Sequence, residues 1–283
     1  MNGASNEVRV YVPACEVREG VCVYVRMFRE LWAARELTLQ LIGRDVTGRY
    51  RQSILGWLWA FLPAIGTTVL FTYLRDLRVL SLREVSIPYP AYVLLGMVSW
   101  QFFQGGLTAA TQSLTAAGGM VSKLRFPRES LVLAAVGVAL ADAVLRTLMV
   151  ACVFAWYGIQ PEWTVVLAPL VLVPLVVLTM GLGLFLALFN ALVRDVSAAL
   201  PVGLSLFFFL VPVLYPPPVR WPHVLLNDLN PVAVIMIAVH DVVVLGYLTR
   251  PAAYAAASLI AVLVFFLAWR LFRMAQPFVA ERI

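Results

Sequence analysis

Charge is scarce in this sequence: Asp, Glu, Lys and Arg make up 13% of its residues, about half the share of an ordinary soluble domain. Hydrophobic residues make up 62%, and mean hydropathy is +0.90. A water-soluble fold of this composition has too little charge to cover its surface, so the bilayer is the natural solvent. Lysine is scarcer still. The single one, Lys123, follows Ser122, whereas a phosphate-cradling P-loop places its lysine directly after glycine. The chain therefore carries no such ATP site, and any ATP it uses must be bound by another protein.

Histidine and cysteine are equally thin. His223 and His240 have no metal-ligand partner at helical spacing. Cys15, Cys22 and Cys152 form no metal-ligand pattern and read as unpaired small apolar residues. No metal site is expected. Acid, base and nucleophile gather nowhere, so no catalytic residue is assigned and a transporter is expected rather than an enzyme. The first apolar run begins near Ile54, after a charged segment, so no cleavable signal is expected. The net charge of +6 does not point to nucleic acid, because the cations lie between apolar runs, where membrane topology explains them.

Long apolar runs are what the sequence has in abundance. In hydrocarbon only helices or closed barrels satisfy their own backbone, and these runs do not alternate, which selects helices. Runs at 54–74, 91–113, 131–157, 163–189, 196–215 and 252–272 can each cross a core of about 30 Å. The stretch 232–246 is shorter, contains His240 and Asp241, and reads as a re-entrant or interfacial helix. The fold class is thus all-α integral membrane with six spans: a cytoplasmic segment over 1–53 and a transmembrane domain over 54–283.

Cation placement orients these spans. Eight Arg before Ile54, then Lys123, Arg125, Arg128, Arg194, Arg270, Arg273 and Arg282, fall on one side. Arg75, Arg78, Arg83, Arg220 and Arg250 fall on the other, and Arg146 lies within span three. The excess puts both termini in the cytoplasm, and a seventh span would weaken it.

Five other features stand out. Residues 27–50 form an amphipathic helix with Phe28, Leu31, Trp32, Leu39, Ile42, Val46 and Tyr50 towards one side, placed along the cytoplasmic interface or packed on a partner. Asp142 and Arg146, four apart in span three, can pair and offset a cost of about 3 kcal/mol for an isolated mid-membrane charge. They form part of a substrate path or gate, or they hold span three in the bundle. Segment 118–130 places Lys123, Arg125 and Phe126 between Gly118–Gly119 and Pro127, with Arg128 just after it, which suits either docking onto a soluble protein or an ordinary basic loop. Segment 216–250 opens with Pro216, Pro217 and Pro218 and either folds back as an outer lid or packs on the bundle. Aromatics crowd span one (Trp57, Trp59, Phe61, Phe71, Tyr73) and span five (Phe207, Phe208, Phe209, Tyr215). They serve as interface anchors, sugar platforms or lipid-facing surface.

The segments RDVTGRYRQSILGWLWAFLPA at 44–64, VSKLRFPRES at 121–130, NALVRDV at 190–196 and the Asn230–Pro231 pair carry a resemblance. Together they resemble the membrane subunit of type-2 ATP-binding-cassette exporters, in the branch that exports lipid-linked polysaccharides such as O antigen, teichoic acid or capsule. The resemblance implies a homodimer in a bacterial plasma (inner) membrane, served by two separate P-loop ATPase subunits that bind the ATP and Mg²⁺. It implies an interface helix at 27–50 and a coupling helix comprising Lys123, Leu124, Arg125, Phe126, Pro127, Arg128 and Glu129. Spans one and five would line the glycan conduit with the aromatics above, and 216–250 would gate its outer side. Leu55 and Gly56 would lie at the cytoplasmic mouth, where Arg44, Arg49 and Arg51 attract the pyrophosphate of a polyprenyl-linked glycan. The alternatives are export of another lipid or drug-like substrate, and a membrane enzyme acting on polyprenyl-linked sugars.

Overall fold

A computed structural model of the chain describes residues 20–50, 58–78, 85–117, 126–217 and 223–280. Among these residues all regular structure is helical. The helices are α1 (Gly20–Ala33), α2 (Arg35–Tyr50), α3 (Leu58–Asp76), α4 (Tyr89–Ala116), α5 (Glu129–Trp156), α6 (Ala168–Leu192), α7 (Asp195–Phe208), α8 (His223–Asp228), α9 (Pro231–Val244) and α10 (Pro251–Ala280). A single 3₁₀ turn, Trp163–Leu167, leads into α6. Among the described residues, four helical stretches are both long and apolar enough to cross a membrane: Leu58–Asp76, Glu129–Trp156, Trp163–Leu192 and Pro251–Gln276. The chain is a multi-pass membrane protein. Helix α4 matches them in length at 28 residues but carries Gln101, Gln104 and Gln112.

Helices α4, α5, α6 and α10 form the packed centre. Helix α4 is enclosed on most sides, with Phe102, Phe103 and Trp100 at most 2% exposed. Small residues let backbones approach, as membrane helix packing requires. A Cβ placed on Gly181 of α6 would stand 2.7 Å from the Cα of Phe265 and 2.9 Å from its nitrogen, so α6 and α10 touch backbone to backbone there. Helix α3 behaves differently. Only Ala60, Ala64 and Thr68 are buried, a one-residue-wide stripe at every fourth position. Trp59, Leu62, Val69 and Tyr73 on its other sides are more than half exposed.

The run expected to form span five is not one helix. Helix α7 stops at Phe208 after 14 residues, about 21 Å, and residues 209–217 are irregular. Pro212 explains the break, since it has no N–H to donate and restricts the residue before it. The freed carbonyls find donors on α4. The Tyr89 hydroxyl donates to Leu214 O at 2.8 Å, and the Tyr92 hydroxyl donates to Tyr215 O at 2.9 Å.

The apolar stretch after it forms α9, also 14 residues and too short to cross. The Asn230–Pro231 pair starts it: Asn230 Oδ1 accepts from Val232 N at 3.1 Å while Pro231 occupies the first turn. Helix α9 is almost fully enclosed, and Val242 and Val243 accept hydrogen bonds from Thr164 and Glu162 ahead of α6.

The amphipathic helix over 27–50 begins earlier and bends at Ala34 into α1 and α2. Thr38 Oγ1 donates to Ala34 O at 3.2 Å, a back-bond that bends helices. Its inward stripe also differs. Leu41 is buried and Leu37 and Ile42 are half-buried, whereas Leu39 is 65% exposed and Phe28 and Trp32 are exposed with it.

Gly181→Ala is expected to destabilise the chain by about 1–3 kcal/mol, because the clash at Phe265 is with backbone. Gly105→Ala, where a Cβ meets nothing within 4 Å, serves as the neutral control. Thermal unfolding of both in detergent checks the ordering.

Candidate functional site: a cationic cavity beside a buried ion triad

Helix α2 runs along α5 in the same direction. Ile42 fills the space left by Gly137, with its Cδ1 2.5 Å from where a Cβ would stand. Further along, Arg49 Nη1 donates to Asp142 Oδ2 at 2.5 Å. Between α2, the last turns of α4 and the first half of α5 lies a cavity of about 490 Å³. Arg44, Asp45, Arg49, Gln112 and Ser113 supply its polar wall. Arg44 and Arg49 side chains are 64% and 47% exposed, so both guanidiniums reach the open space. Arg44 donates to its neighbour Asp45 at 2.8 Å, a solvent-screened pair of little energetic consequence. A guanidinium has five donors, and each of these has one engaged in an ion pair. What remains matches anionic oxygens of a phosphate or carboxylate.

Asp142 therefore takes its ion-pair partner from α2. Sequence spacing pairs it with Arg146, but among the described ion pairs its partner is Arg49. Arg146 donates its Nε to Ala60 O of α3 at 2.9 Å. Spacing within one helix shows which residues share a face. It does not show which neighbouring helix supplies a better partner.

A second charged cluster lies where α1, the start of α5 and the end of α10 meet. Arg273, 8% exposed, donates one arm to Glu129 Oε1 at 3.2 Å and the other to Glu30 Oε2. Glu129 is 1% exposed. Arg128 beside it donates to Gln276 O at 2.9 Å. Partial burial lowers the Arg128 guanidinium's pKa below its ordinary value, with Glu129 acting the other way. The final residues of the segment expected to couple to an ATPase thus face inward: Glu129 touches the bundle, and Phe126 packs against its core.

Other expected site residues separate into groups. Arg51, Leu55, Gly56, Trp57, Lys123, Leu124 and Arg125 lie outside the described residues. Trp59, Tyr73 and Phe209 are exposed. Phe207 and Phe208 instead pack on Trp100 of α4, with ring centroids 6.0 and 5.2 Å apart. Phe61, Phe71 and Tyr215 are half-buried. Glu30, Arg273 and Gln112 were not singled out by sequence reading. A glutamate on an amphipathic helix looks solvated, and an arginine after the last span looks like a topology signal.

The NALVRDV turn has a clear role. Asn190 donates Nδ2 to Thr111 O at 3.1 Å, and its Oδ1 accepts from Ser197 N at 3.1 Å. One side chain ties α6, α7 and the end of α4 together. A family profile described as ABC-2 type transporter matches residues 36–244. The chain belongs to the ABC-2 type transporter family. It is a membrane subunit of a transporter rather than an enzyme, and the family implies an ABC ATPase as partner. Among curated relatives, an O-antigen export system permease protein RfbA from Myxococcus xanthus is 31% identical over 192 residues. That match covers 68% of this chain and 73% of the relative. A permease of the same name from Klebsiella pneumoniae is 26% identical over 196 residues, with 68% and 73% covered.

Arg273→Met is expected to cost this ABC-2 permease about 3–5 kcal/mol, because it strands Glu129 as an unpaired buried charge. Glu30→Gln, at a side chain 37% exposed, is expected to cost about 1 kcal/mol or less. Denaturation midpoints of the purified variants test that ranking.

Proposed function

We propose that this chain is the permease of an ATP-driven exporter that moves a lipid-linked polysaccharide out of the cytoplasm across a bacterial inner membrane. The observation that carries this reading is the pair of guanidiniums at a half-open cavity, in a chain whose relatives are named O-antigen export permeases. A polyprenyl-linked glycan carries phosphate at the junction of lipid and sugar. Arg44 and Arg49 offer planar donor forks suited to its oxygens, and Gln112 and Ser113 offer neutral ones.

Six crossings suit the element order, with α3, α4, α5, α6, α7 and α10 as spans and α9 folded into the outer leaflet. Both termini then lie in the cytoplasm. Helix α7 supplies about 21 Å of its crossing, and residues 209–217 supply the remainder as irregular chain braced by Tyr89 and Tyr92. The exposed faces of α3 and α7 are apolar and belong against a second copy of the chain, with Trp59, Tyr73 and Phe209 available to stack on sugar rings. Coupling to two ATPase subunits runs through the segment ending at Glu129. Displacement there passes to Arg273 and Glu30, because the three share one buried contact.

Arg44→Gln is the clean test, since Arg49→Ala would also break the ion pair with the buried Asp142 carboxylate. In vesicles containing the permease and its ATPase, the variant is expected to keep assembly and basal ATP hydrolysis. Stimulation by lipid-linked glycan should require about tenfold more substrate, which corresponds to losing one charge-assisted contact of about 1.4 kcal/mol. An unchanged glycan response would contradict the assignment of the cavity.

A further inference from the structure

Helices α2 and α3 lie end to end along α5. Near the start of α5, Leu133 borders a groove with Leu31, Thr38 and Leu39. One turn later Gly137 accepts Ile42, and the next contact is Arg49 on Asp142. Then α3 takes over. Arg146 Nε donates to Ala60 O at 2.9 Å, and beyond it Leu148, Met149 and Cys152 face Leu58, Leu62 and Ile65. The handover occupies residues 142–146, a single turn spanning about 6 Å of rise.

Both contacts at this turn are polar in otherwise apolar surroundings. Asp142 has 5% side-chain exposure, so its carboxylate needs a fixed cation. Arg49 answers it with one nitrogen and keeps about half its side chain open to the cavity. The carboxylate thereby sets where the rest of the guanidinium points. Arg146 reaches the other way and grips a backbone carbonyl in the first turn of α3, so that grip does not depend on the identity of residue 60. Apolar packing alone would let two short contacts slide by a residue. A directional ion pair and a side-chain-to-backbone bond do not allow that slip.

We propose that Asp142 and Arg146 are positioning residues: one turn of α5 holds the end of α2, and with it the Arg49 guanidinium, and the start of α3 in fixed register at the cationic cavity. The proposal rests on the reading that this cavity receives the phosphate of a lipid-linked glycan. Asp142 and Arg146 act through Arg49 and Ala60.

The test uses the complete complex of permease and ATPase in lipid nanodiscs, carrying Asp142→Asn, Arg146→Met or Arg146→Lys, with Arg44→Gln as a marker of the cavity itself. Two quantities are read: amide exchange over residues 44–50 without substrate, and the concentration of polyprenyl-pyrophosphate-linked glycan giving half-maximal ATPase stimulation. Asp142→Asn and Arg146→Met are expected to speed exchange at least fivefold and raise the half-maximal concentration about tenfold, with basal ATPase unchanged. Arg146→Lys, which keeps a donor for the Ala60 carbonyl, is expected to stay within threefold of the parent. Unchanged exchange, faster exchange with an unchanged glycan response, or loss of assembly in both disruptive variants would overturn the proposal. If Arg44→Gln alone shifts the glycan response, the cavity keeps its function and the positioning role fails. If no variant shifts it, the cavity assignment fails with it.

Discussion

An arginine buried in an apolar bundle must be neutralised within reach of its own side chain, and the end of this molecule is organised around that requirement. Arg273 lies in the last helix with 8% of its side chain exposed, and it holds Glu129 at the start of α5 and Glu30 on α1. The two carboxylates come from segments separated by about a hundred residues; Glu129 cannot move away without leaving charge uncompensated in a low-dielectric site, while Glu30, 37% exposed, adds the tie to α1. Arg128 adds a second tie from the same turn to the end of α10. The bond energies matter less than the consequence that three elements cannot separate one at a time. Under the proposed coupling, a push on the segment ahead of Glu129 is shared with the first and last helices.

At the other end the constraint is the opposite kind, and a different chemistry meets it. Residues 209–217 leave the helical path where Pro212 and the following prolines forbid it, which frees carbonyls that need other donors. Neutral hydroxyls of Tyr89 and Tyr92 satisfy them, and the Tyr215 hydroxyl donates to Phe209 O at 3.0 Å. Neutral donors allow an irregular segment to be held without burying charge. The short helix α9 closes the same end: Asn230 caps its first turn, and Asp241 near its last turn accepts from Thr249 N at 2.9 Å.

Much of this was legible in the sequence because the bilayer simplifies the reading. Apolar runs marked the helices of the bundle, although not where Pro212 ends α7. The Asn230–Pro231 pair reads in the sequence as a motif and not as a helix start, whereas the short run with His240 and Asp241 points to the 14-residue α9. Arg44 and Arg49, which line the cavity, lie within the motif that carries the family resemblance. Partners across helices were not readable. Asp142 looked matched within its own helix, yet the approach of α2 supplied Arg49. Phe207 and Phe208 looked like conduit lining, yet Trp100 on a neighbouring helix draws them inward. Leu39 looked inward on the helical wheel, but the bend at Ala34 shifts the buried stripe onto Leu41. In each case tertiary geometry chose between options that local pattern left equal.

The proposed function joins a cationic cavity, assigned to phosphate, to a charged junction, assigned to coupling, with α5 common to both. Its central claim is that this chain moves a lipid-linked glycan only when a separate ATPase acts on it. Reconstitution of the chain with its P-loop ATPase in sealed vesicles tests that most directly, by following ATP-dependent transfer of a polyprenyl-linked glycan to the opposite leaflet. Transfer that requires both proteins and ATP hydrolysis is the predicted result. A chain that purifies alone and turns over a sugar donor, or a complex that hydrolyses ATP without moving glycan, would contradict it.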